Sequence, residues 1–167
     1  RERAILITSL LYAMDKIANT VGHYDAYRKN GNLDRTLELG MLDLKSNTNN
    51  KNNKVFNEDS NELVKNLKAD VVYIDPPYNS RQYSRFYHVL ENITKWEKPE
   101  LYGTALKPKE ENMSEYCKTS APKIFEDLIN NLNVKYIVVT YNNTYNSKSS
   151  SSKNKITLDE IKEILEK

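Results

Sequence analysis

Apolar residues recur at helical spacing along much of the chain, and this pattern predicts five helices. The predicted helices cover residues 3–18, 60–67, 86–96 and 121–132, and a last one begins at Thr157. Residues suited to capping precede two of them. Asp59 or Ser60 can cap the second helix with Glu62 placed for a capping box, and Thr157 with Glu160 can open the last.

Two compact β-branched runs, ADVVYID at residues 69–75 and VKYIVVTY at residues 134–141, predict buried parallel strands. Weaker patterns over residues 33–44 and 54–57 are short-strand candidates. The alternation of strands and helices predicts an α/β fold with a mainly parallel sheet. Ligands of such sheets bind beyond the carboxyl ends of the strands, where Asp75 and Tyr141 lie.

Polar segments separate these elements. The run SNTNNKNNK at residues 46–54 is of low complexity and is predicted to be a mobile loop or insertion. Residues 79–85 are predicted to form a polar loop, and residues 142–154 a loop rich in Ser and Asn. Residues 98–108, which contain Pro and Gly, are predicted to be irregular.

The net charge of +2, from 25 Lys and Arg against 23 Asp and Glu, excludes a strongly basic nucleic-acid coat. Any nucleic-acid surface must be a local patch. The single cysteine, Cys117, excludes an internal disulfide and favours a reducing, cytosolic setting. It has no His or Cys at ligand spacing, so neither a metal site nor a thiol nucleophile is predicted. No apolar run approaches the roughly 18 residues of a membrane span.

The tetrapeptide Asp75-Pro76-Pro77-Tyr78 carries the candidate chemistry. Neither proline can donate to a strand ladder, so the chain must leave the strand in a stiff corner. Such a corner suits an amino group as substrate, because the Asp75 carboxylate and the Pro76 carbonyl can each accept one of its hydrogens. The Tyr78 ring can stack on the attached heterocycle. The alternative is an ordinary proline-rich turn, which the preceding strand and the following Tyr disfavour.

This tetrapeptide resembles motif IV of S-adenosylmethionine-dependent amino-methyltransferases. The longer string DVVYIDPPYNSRQYSRFYHVLENI resembles the Dam-related class of adenine-specific DNA methyltransferases of restriction–modification systems. The strings NTVGHYDAYRK and YIVVTYNN resemble further segments of that class. The resemblance covers most of the chain apart from the loops rich in Asn and Ser.

The resemblance implies a Rossmann-like class I methyltransferase fold, expected to be incomplete in this chain, with S-adenosylmethionine as cofactor. Residues 54–167 would form the catalytic α/β portion. Residues 1–53 would form a helical segment, a mobile insertion and the connection to the recognition region. The resemblance implies double-stranded DNA as partner and a cognate restriction endonuclease in the same system. It also implies a cytoplasmic protein without membrane association.

The resemblance also implies site residues. Asp75, Pro76, Pro77 and Tyr78 form the catalytic set, and Asp59 joins Asp75 in contacting the cofactor. In the family an acidic residue near Asp59 contacts the adenosine part, whereas a helix N-cap is an equally good explanation.

Cationic and aromatic side chains interleave after the corner, as a nucleic-acid backbone and an unstacked base require. Arg81, Tyr83 and Arg85 are therefore predicted to contact DNA, against the alternative of a solvated loop whose aromatics pack on the domain. His88 is predicted to pack or hydrogen-bond at a helix start.

The residues that follow the second predicted strand are Tyr141, Asn142 and Asn143. They would line the same cleft as the corner, although turn chemistry explains the two asparagines nearly as well.

The four glycines, Gly22, Gly31, Gly40 and Gly103, stand too far apart for the glycine-containing cofactor loop of the family. In Dam-like enzymes that loop lies N-terminal to the DPPY tetrapeptide. The chain is therefore expected to be a piece of a larger enzyme. The alternatives are a permuted enzyme and a short, inactive gene product.

The function predicted is methyl transfer to the exocyclic amino group of a flipped adenine in duplex DNA. The first alternative is an amino-methyltransferase acting on cytosine, on RNA or on a glutamine amide. The second is a non-catalytic DNA-binding remnant of such an enzyme, which the missing glycine loop supports.

Overall fold

The computed structural model describes residues 1–24, 26, 28–32, 34–43, 52–104, 106–142 and 146–167. They divide into two compact units. The first comprises Arg1–Lys54 and Ser84–Glu111, and the second comprises Val55–Tyr83 and Asn112–Lys167. Within the described ranges, no helix is both long and apolar enough to cross a membrane. The recognition and catalytic roles assigned above to residues 1–53 and 54–167 remain predictions.

The described residues contain more helices than strands, and three helices lie between the two strands, so the predicted regular alternation is not found. In chain order they are α1 Glu2–Ile17, α2 Ser60–Leu63, β1 Val71–Ile74, α3 Tyr83–Phe86, α4 His88–Lys95, α5 Ala121–Asn130, β2 Tyr136–Val139 and α6 Leu158–Leu165. Short 3-10 turns, Val64–Asn66 and Glu115–Cys117, follow α2 and precede α5. The five predicted helices and the two principal strands are thus confirmed, with ends that differ by a few residues.

The sheet of the second unit is a parallel pair. Val71 of β1 pairs with Tyr136 of β2, and Ile74 pairs with Val139. A parallel pair needs a crossover, and α5 lies in the segment that connects the two strands. The result is a mixed helix and strand unit with a small parallel sheet, which confirms the predicted parallel pairing.

The core of the second unit lies where α5 and α6 pack beside the sheet. Phe125 and Ile156 are fully buried at its centre. The other buried members are Ile74, Tyr116, Ala121, Leu128, Ile161 and Ile164. These apolar residues come from a strand, a turn, two helices and the segment before α6, so their burial holds the ends of β1 and β2 in place.

Capping residues were predicted for α2 and α6. The prediction is fully confirmed for α6 and partly confirmed for α2. Thr157 and Glu160 form a reciprocal capping box at the start of α6. Asp59 caps α2, whereas the side chain of Glu62 bonds to Lys65 at 2.6 Å. Local capping chemistry therefore sets the start of both helices.

One face of the sheet is exposed, contrary to the prediction of fully buried strands. Val71 and Tyr73 of β1 are 56% and 63% exposed, and Tyr136 and Val138 of β2 are 67% and 46% exposed. The core covers the opposite face, where Ile74 is buried. An apolar run alone predicts a strand, but it does not reveal that the described part of the chain covers only one side.

The weaker strand predictions are wrong where they can be checked. Residues 34–43 and residues 54–57 lie in no strand, while residues 33 and 44 are outside the described ranges. Val55 is 97% exposed, and Leu39 and Met41 are 55% and 74% exposed. A strand needs a pairing partner and a buried face, and loose alternation supplies neither.

Some of the predicted loops lie outside the described residues, and one of them contains part of a helix. Most of the predicted insertion at residues 46–54 lies outside the described residues, as does Asn143. The predicted polar loop 79–85 contains the first residues of the single-turn helix α3, which the polar composition did not indicate.

In the first unit, the segment that follows α1 contacts Phe86, the last residue of α3. The His23 ring lies 4.8 Å from the Phe86 ring, and Lys107 Nζ lies 5.7 Å from the Phe86 ring centroid. His88 is buried, and its Nδ1 lies 3.0 Å from the Arg85 carbonyl oxygen. This confirms the packing role predicted for His88 at a helix start.

Candidate active site

The DPPY corner begins at the carboxyl end of β1. Ile74 is the last strand residue and is buried, whereas the Asp75 side chain is exposed. The N–H of Thr140 donates to the Ile74 carbonyl at 3.0 Å, and the Thr140 hydroxyl donates to Oδ1 of Asp75 at 3.1 Å. The carboxylate is therefore open to solvent yet held on one oxygen by the end of the neighbouring strand.

The prolines and Tyr78 are fixed by the segment that follows β2. Pro76 is buried, and Pro77 is half-buried. The Tyr78 carbonyl accepts a hydrogen bond from the Lys155 N–H at 2.8 Å and another from the Tyr141 hydroxyl at 3.4 Å. These contacts define where the backbone of the corner runs, so the corner is anchored at both ends.

The two tyrosine rings meet edge to face. The ring centroids of Tyr78 and Tyr141 are 6.1 Å apart with an interplanar angle of 77°. Burial raises the pKa of Tyr141, whose hydroxyl also accepts from the Ile156 N–H at 3.3 Å. Tyr141 thus stays neutral and supports Tyr78, which is half-buried and keeps part of its surface open. The structure brings Tyr141 to the corner that it was expected to border.

Asp59 sits at the N-terminus of α2. Its Oδ1 accepts hydrogen bonds from the backbone N–H groups of Asn61 at 2.9 Å and Glu62 at 3.3 Å. Both recorded bonds of the carboxylate therefore serve the helix cap. The contact of Asp59 with a cofactor remains a prediction.

A polar cluster centred on the buried side chain of Asn61 stands immediately behind that cap. Asn61 donates to the Ile124 carbonyl at 2.9 Å and to Asp127 Oδ2 at 2.7 Å, and it accepts from the Tyr116 hydroxyl at 2.9 Å. Burial raises the pKa of Tyr116 to about 12, so its hydroxyl remains a donor. This cluster ties α2 to α5 and fixes the position of Asp59.

The predicted DNA-contacting residues fall in different surroundings. Arg81 is exposed, and its Nη2 lies 3.5 Å from Ser152 Oγ. Tyr83 is 56% exposed. Arg85 is half-buried, donates to the Pro108 carbonyl at 3.2 Å, and has Glu110 Oε1 3.7 Å away. Arg81 belongs to the second unit and Arg85 to the first.

Two residues that the sequence patterns did not single out make contacts next to the predicted site residues. Gln82 is buried and clamps the backbone of Ser114, donating to its carbonyl at 3.0 Å and accepting from its N–H at 2.7 Å. Thr140 bonds to Asp75, and the Tyr73 hydroxyl lies 2.9 Å from Thr140 Oγ1. Both predicted strands end in an apolar residue followed by a polar one, Ile74-Asp75 and Val139-Thr140. Aligning these two ends would have placed Thr140 beside Asp75.

Cys117 is buried next to the backbone of Arg81. Its thiol lies 3.4 Å from the Arg81 carbonyl, and burial raises its pKa, so it remains a thiol. Across the described ranges, no group of three or more His, Cys, Asp and Glu is placed to hold a metal ion.

The family model for the D12 class of N6 adenine-specific DNA methyltransferases matches residues 2–164. The chain belongs to this family. The resemblance drawn from the DPPY string and its flanking segments is therefore confirmed, and the family covers both compact units.

Several modification methylases are similar to this member of the D12 class. Modification methylase StsI of Streptococcus sanguinis is 44% identical over 83% of this chain and 21% of its own length. Type II methyltransferase M.FokI of Planomicrobium okeanokoites is 40% identical over 84% of the chain and 22% of its length. Type II methyltransferase M.NlaIII of Neisseria lactamica is 36% identical over 83% and 41%. The chain thus spans about a fifth of the length of the first two relatives. No solved structure matches it.

Proposed function

We propose that this chain forms the catalytic portion of an adenine-specific DNA methyltransferase, the modification enzyme of a type II restriction–modification system. The observation that carries the proposal is the DPPY corner, which presents the exposed Asp75 carboxylate at the carboxyl end of a parallel strand. Membership of the D12 class and the similarity to modification methylases support it. The same proposal includes a cognate restriction endonuclease as partner. It also places the enzyme in the cytoplasm, with DNA as its substrate.

The corner can hold an exocyclic amino group by two acceptors. Asp75 accepts one hydrogen of the amino group and the Pro76 carbonyl accepts the other. Drawing both hydrogens toward acceptors moves the nitrogen from planar toward tetrahedral and exposes its lone pair. Transfer of a methyl group supplied by S-adenosylmethionine to this nitrogen would break the bond between the methyl carbon and sulfur, and one amino proton would then leave to solvent. No proton needs to leave before the attack.

S-adenosylmethionine supplies the electrophilic methyl group when bound. The residues present match part of this molecule. The carboxylates of Asp59 and Asp75 can accept hydrogen bonds from its hydroxyl and amino groups. Asp59 Oδ1 is used by the α2 cap, which leaves its other oxygen for such a contact. A Rossmann-like sheet extending beyond β1 and β2 is part of the same proposal.

The target amino group lies inside a duplex, so the base must be extruded at a cost of a few kcal/mol. Tyr78 offers the stacking surface, because its ring is partly open and its backbone is held by Lys155 and Tyr141. Stacking of about 1–3 kcal/mol per base offsets much of the extrusion cost.

Labelled methyl transfer to different acceptors tests the proposal. The full-length enzyme is incubated with tritiated S-adenosylmethionine and, separately, duplex DNA, RNA and a glutamine-containing protein. We expect label in duplex DNA. Label in RNA or protein instead favours the alternative amino-methyltransferases, and no label at all favours the non-catalytic DNA-binding remnant.

The DNA contacts of Arg81 and Arg85 give a separate prediction. If each meets a phosphate, replacing both by Ala should flatten the log–log dependence of DNA affinity on salt by up to about two units, roughly 0.9 for each contact. Salt titrations of the wild type, both single variants and the double variant measure this. Arg81 is exposed, whereas Arg85 must first release the Pro108 carbonyl, so the larger single effect is expected at Arg81.

Lys123→Ala is the matched control for that titration, since it removes an exposed cation from α5. Its slope should equal that of the wild type. An unchanged slope in the double arginine variant would return Arg81 and Arg85 to purely structural roles within their own units.

A further inference from the structure

Asp75 and Thr140 face each other because the parallel register continues one residue beyond the strands. Ile74 pairs with Val139, and the Thr140 N–H donates to the Ile74 carbonyl at 3.0 Å. In-register neighbours on parallel strands project to the same face of the sheet, so the next two side chains meet. Accordingly, the Thr140 hydroxyl donates to Asp75 Oδ1 at 3.1 Å.

Tyr73 extends this contact into a chain of three groups. It lies two residues before Asp75, hence on the same face of β1, and its hydroxyl is 2.9 Å from Thr140 Oγ1. A threonine hydroxyl has one proton and two lone pairs. With that proton given to the Asp75 carboxylate, which can only accept when ionised, Thr140 accepts from the Tyr73 hydroxyl. Each hydroxyl then donates once, and the chain polarises toward the carboxylate.

We infer that Thr140 is a positioning residue for methyl transfer, supported by Tyr73, and this inference rests on the proposed function of the corner. The Thr140 bond occupies Oδ1 of Asp75 and restricts rotation of the carboxylate, leaving Oδ2 to accept the amino hydrogen. Without this bond, an exposed carboxylate would sample many orientations. Methyl transfer needs the orientation in which the carboxylate accepts the amino hydrogen. Holding the acceptor in advance contributes to the rate of the chemical step and not to the affinity for DNA.

The location of the contact favours this role over a purely structural one. Tyr73 is 63% exposed and Asp75 is exposed, so the chain of hydroxyls is not needed to satisfy buried polar groups. The backbone pairing of Thr140 with Ile74 already fixes the strand end and does not depend on the side chain. What the two hydroxyls determine is the orientation of Asp75.

The test compares Thr140→Val, Thr140→Ser and Tyr73→Phe in the full-length enzyme. Valine keeps the shape and the β-branch of threonine and removes the hydroxyl, whereas serine keeps the hydroxyl. We expect Thr140→Val to lower kcat about tenfold, the loss of roughly 1.4 kcal/mol expected for a bond to a charged group at an accessible site. Thr140→Ser should stay within about twofold of wild type, and Tyr73→Phe should lose about two- to threefold. DNA affinity should be unchanged in all three.

Two results would overturn the inference. The first is a kcat of Thr140→Val within twofold of wild type. The second is an equal loss in Thr140→Val and Thr140→Ser, which would indicate packing and not the hydroxyl. Asp75→Ala, measured alongside, separates this inference from the proposed function. If Asp75→Ala is inactive while Thr140→Val is normal, only the positioning role fails; if Asp75→Ala is active, the proposed function itself fails.

Discussion

Replacing Asp75 by Ala should reduce methyl transfer by orders of magnitude while leaving the fold intact. Asp75 supplies the carboxylate of the corner, and its side chain is exposed and outside the core formed around Phe125 and Ile156. Removing it takes away an acceptor for the amino hydrogen that is needed most in the transition state, so kcat and kcat/KM should fall together. Tritiated methyl incorporation into DNA measures the loss, and the thermal midpoint should stay near that of wild type.

Asp70→Ala is the matched control at the opposite end of the same strand. Asp70 precedes β1 and forms an exposed ion pair with Lys135 at 2.7 Å. Exposed pairs contribute about 0–1 kcal/mol to stability, and this pair lies away from the corner, so activity should be unchanged. Activity of Asp75→Ala within a few-fold of wild type would contradict the catalytic assignment of the corner.

Tyr78→Ala should weaken the hold on the extruded base by about 1–3 kcal/mol, whereas Tyr78→Phe should be tolerated. In the proposed mechanism the ring supplies the stacking surface, and the contacts that position the corner involve the Tyr78 backbone carbonyl and not its hydroxyl. The fluorescence of 2-aminopurine at the target position reports extrusion. We expect a strong signal for wild type and Tyr78→Phe, and a weak one for Tyr78→Ala.

Tyr136→Ala controls for the loss of an exposed tyrosine. Tyr136 is 67% exposed at the start of β2, at the other end of the sheet from the corner. Its replacement should leave the fluorescence signal unchanged. Equal signals from the Phe and Ala variants at position 78 would argue against stacking on Tyr78.

Local sequence patterns were sufficient for the elements that depend on neighbouring residues. The capping pair Thr157 and Glu160 lies within one helical turn, and the start of α6 follows from it. The corner itself was predictable in the same way, because Pro76 and Pro77 end a strand whatever surrounds them.

Contacts between residues far apart in the chain could not be predicted from local patterns alone. The contact of Thr140 with Asp75 depends on the register between strands 65 residues apart, and the clamp between Gln82 and Ser114 spans 32 residues. The strand predicted over residues 54–57 failed for the opposite reason. The run is short and local, and among the described residues Val55 pairs with no strand and is exposed.

Two predictions concern Asp59: the helix cap is confirmed, and the cofactor contact remains a prediction. Its placement at a helix N-terminus is confirmed by the two N–H groups that bond to its Oδ1. The cofactor contact implied by the family is compatible with that cap, because the cap uses one carboxylate oxygen. A variant such as Asp59→Asn, which can still cap, would distinguish loss of cofactor affinity from loss of helix stability.

The most direct test of the central claim is the identity of the methylated nucleoside. Duplex DNA treated with the full-length enzyme and S-adenosylmethionine is digested to nucleosides and analysed by mass spectrometry. We expect N6-methyladenine from wild-type enzyme and almost none from Asp75→Ala. N4-methylcytosine in place of N6-methyladenine, or N6-methyladenine at equal levels from both enzymes, would contradict the assignment of the DPPY corner as an adenine methylation site.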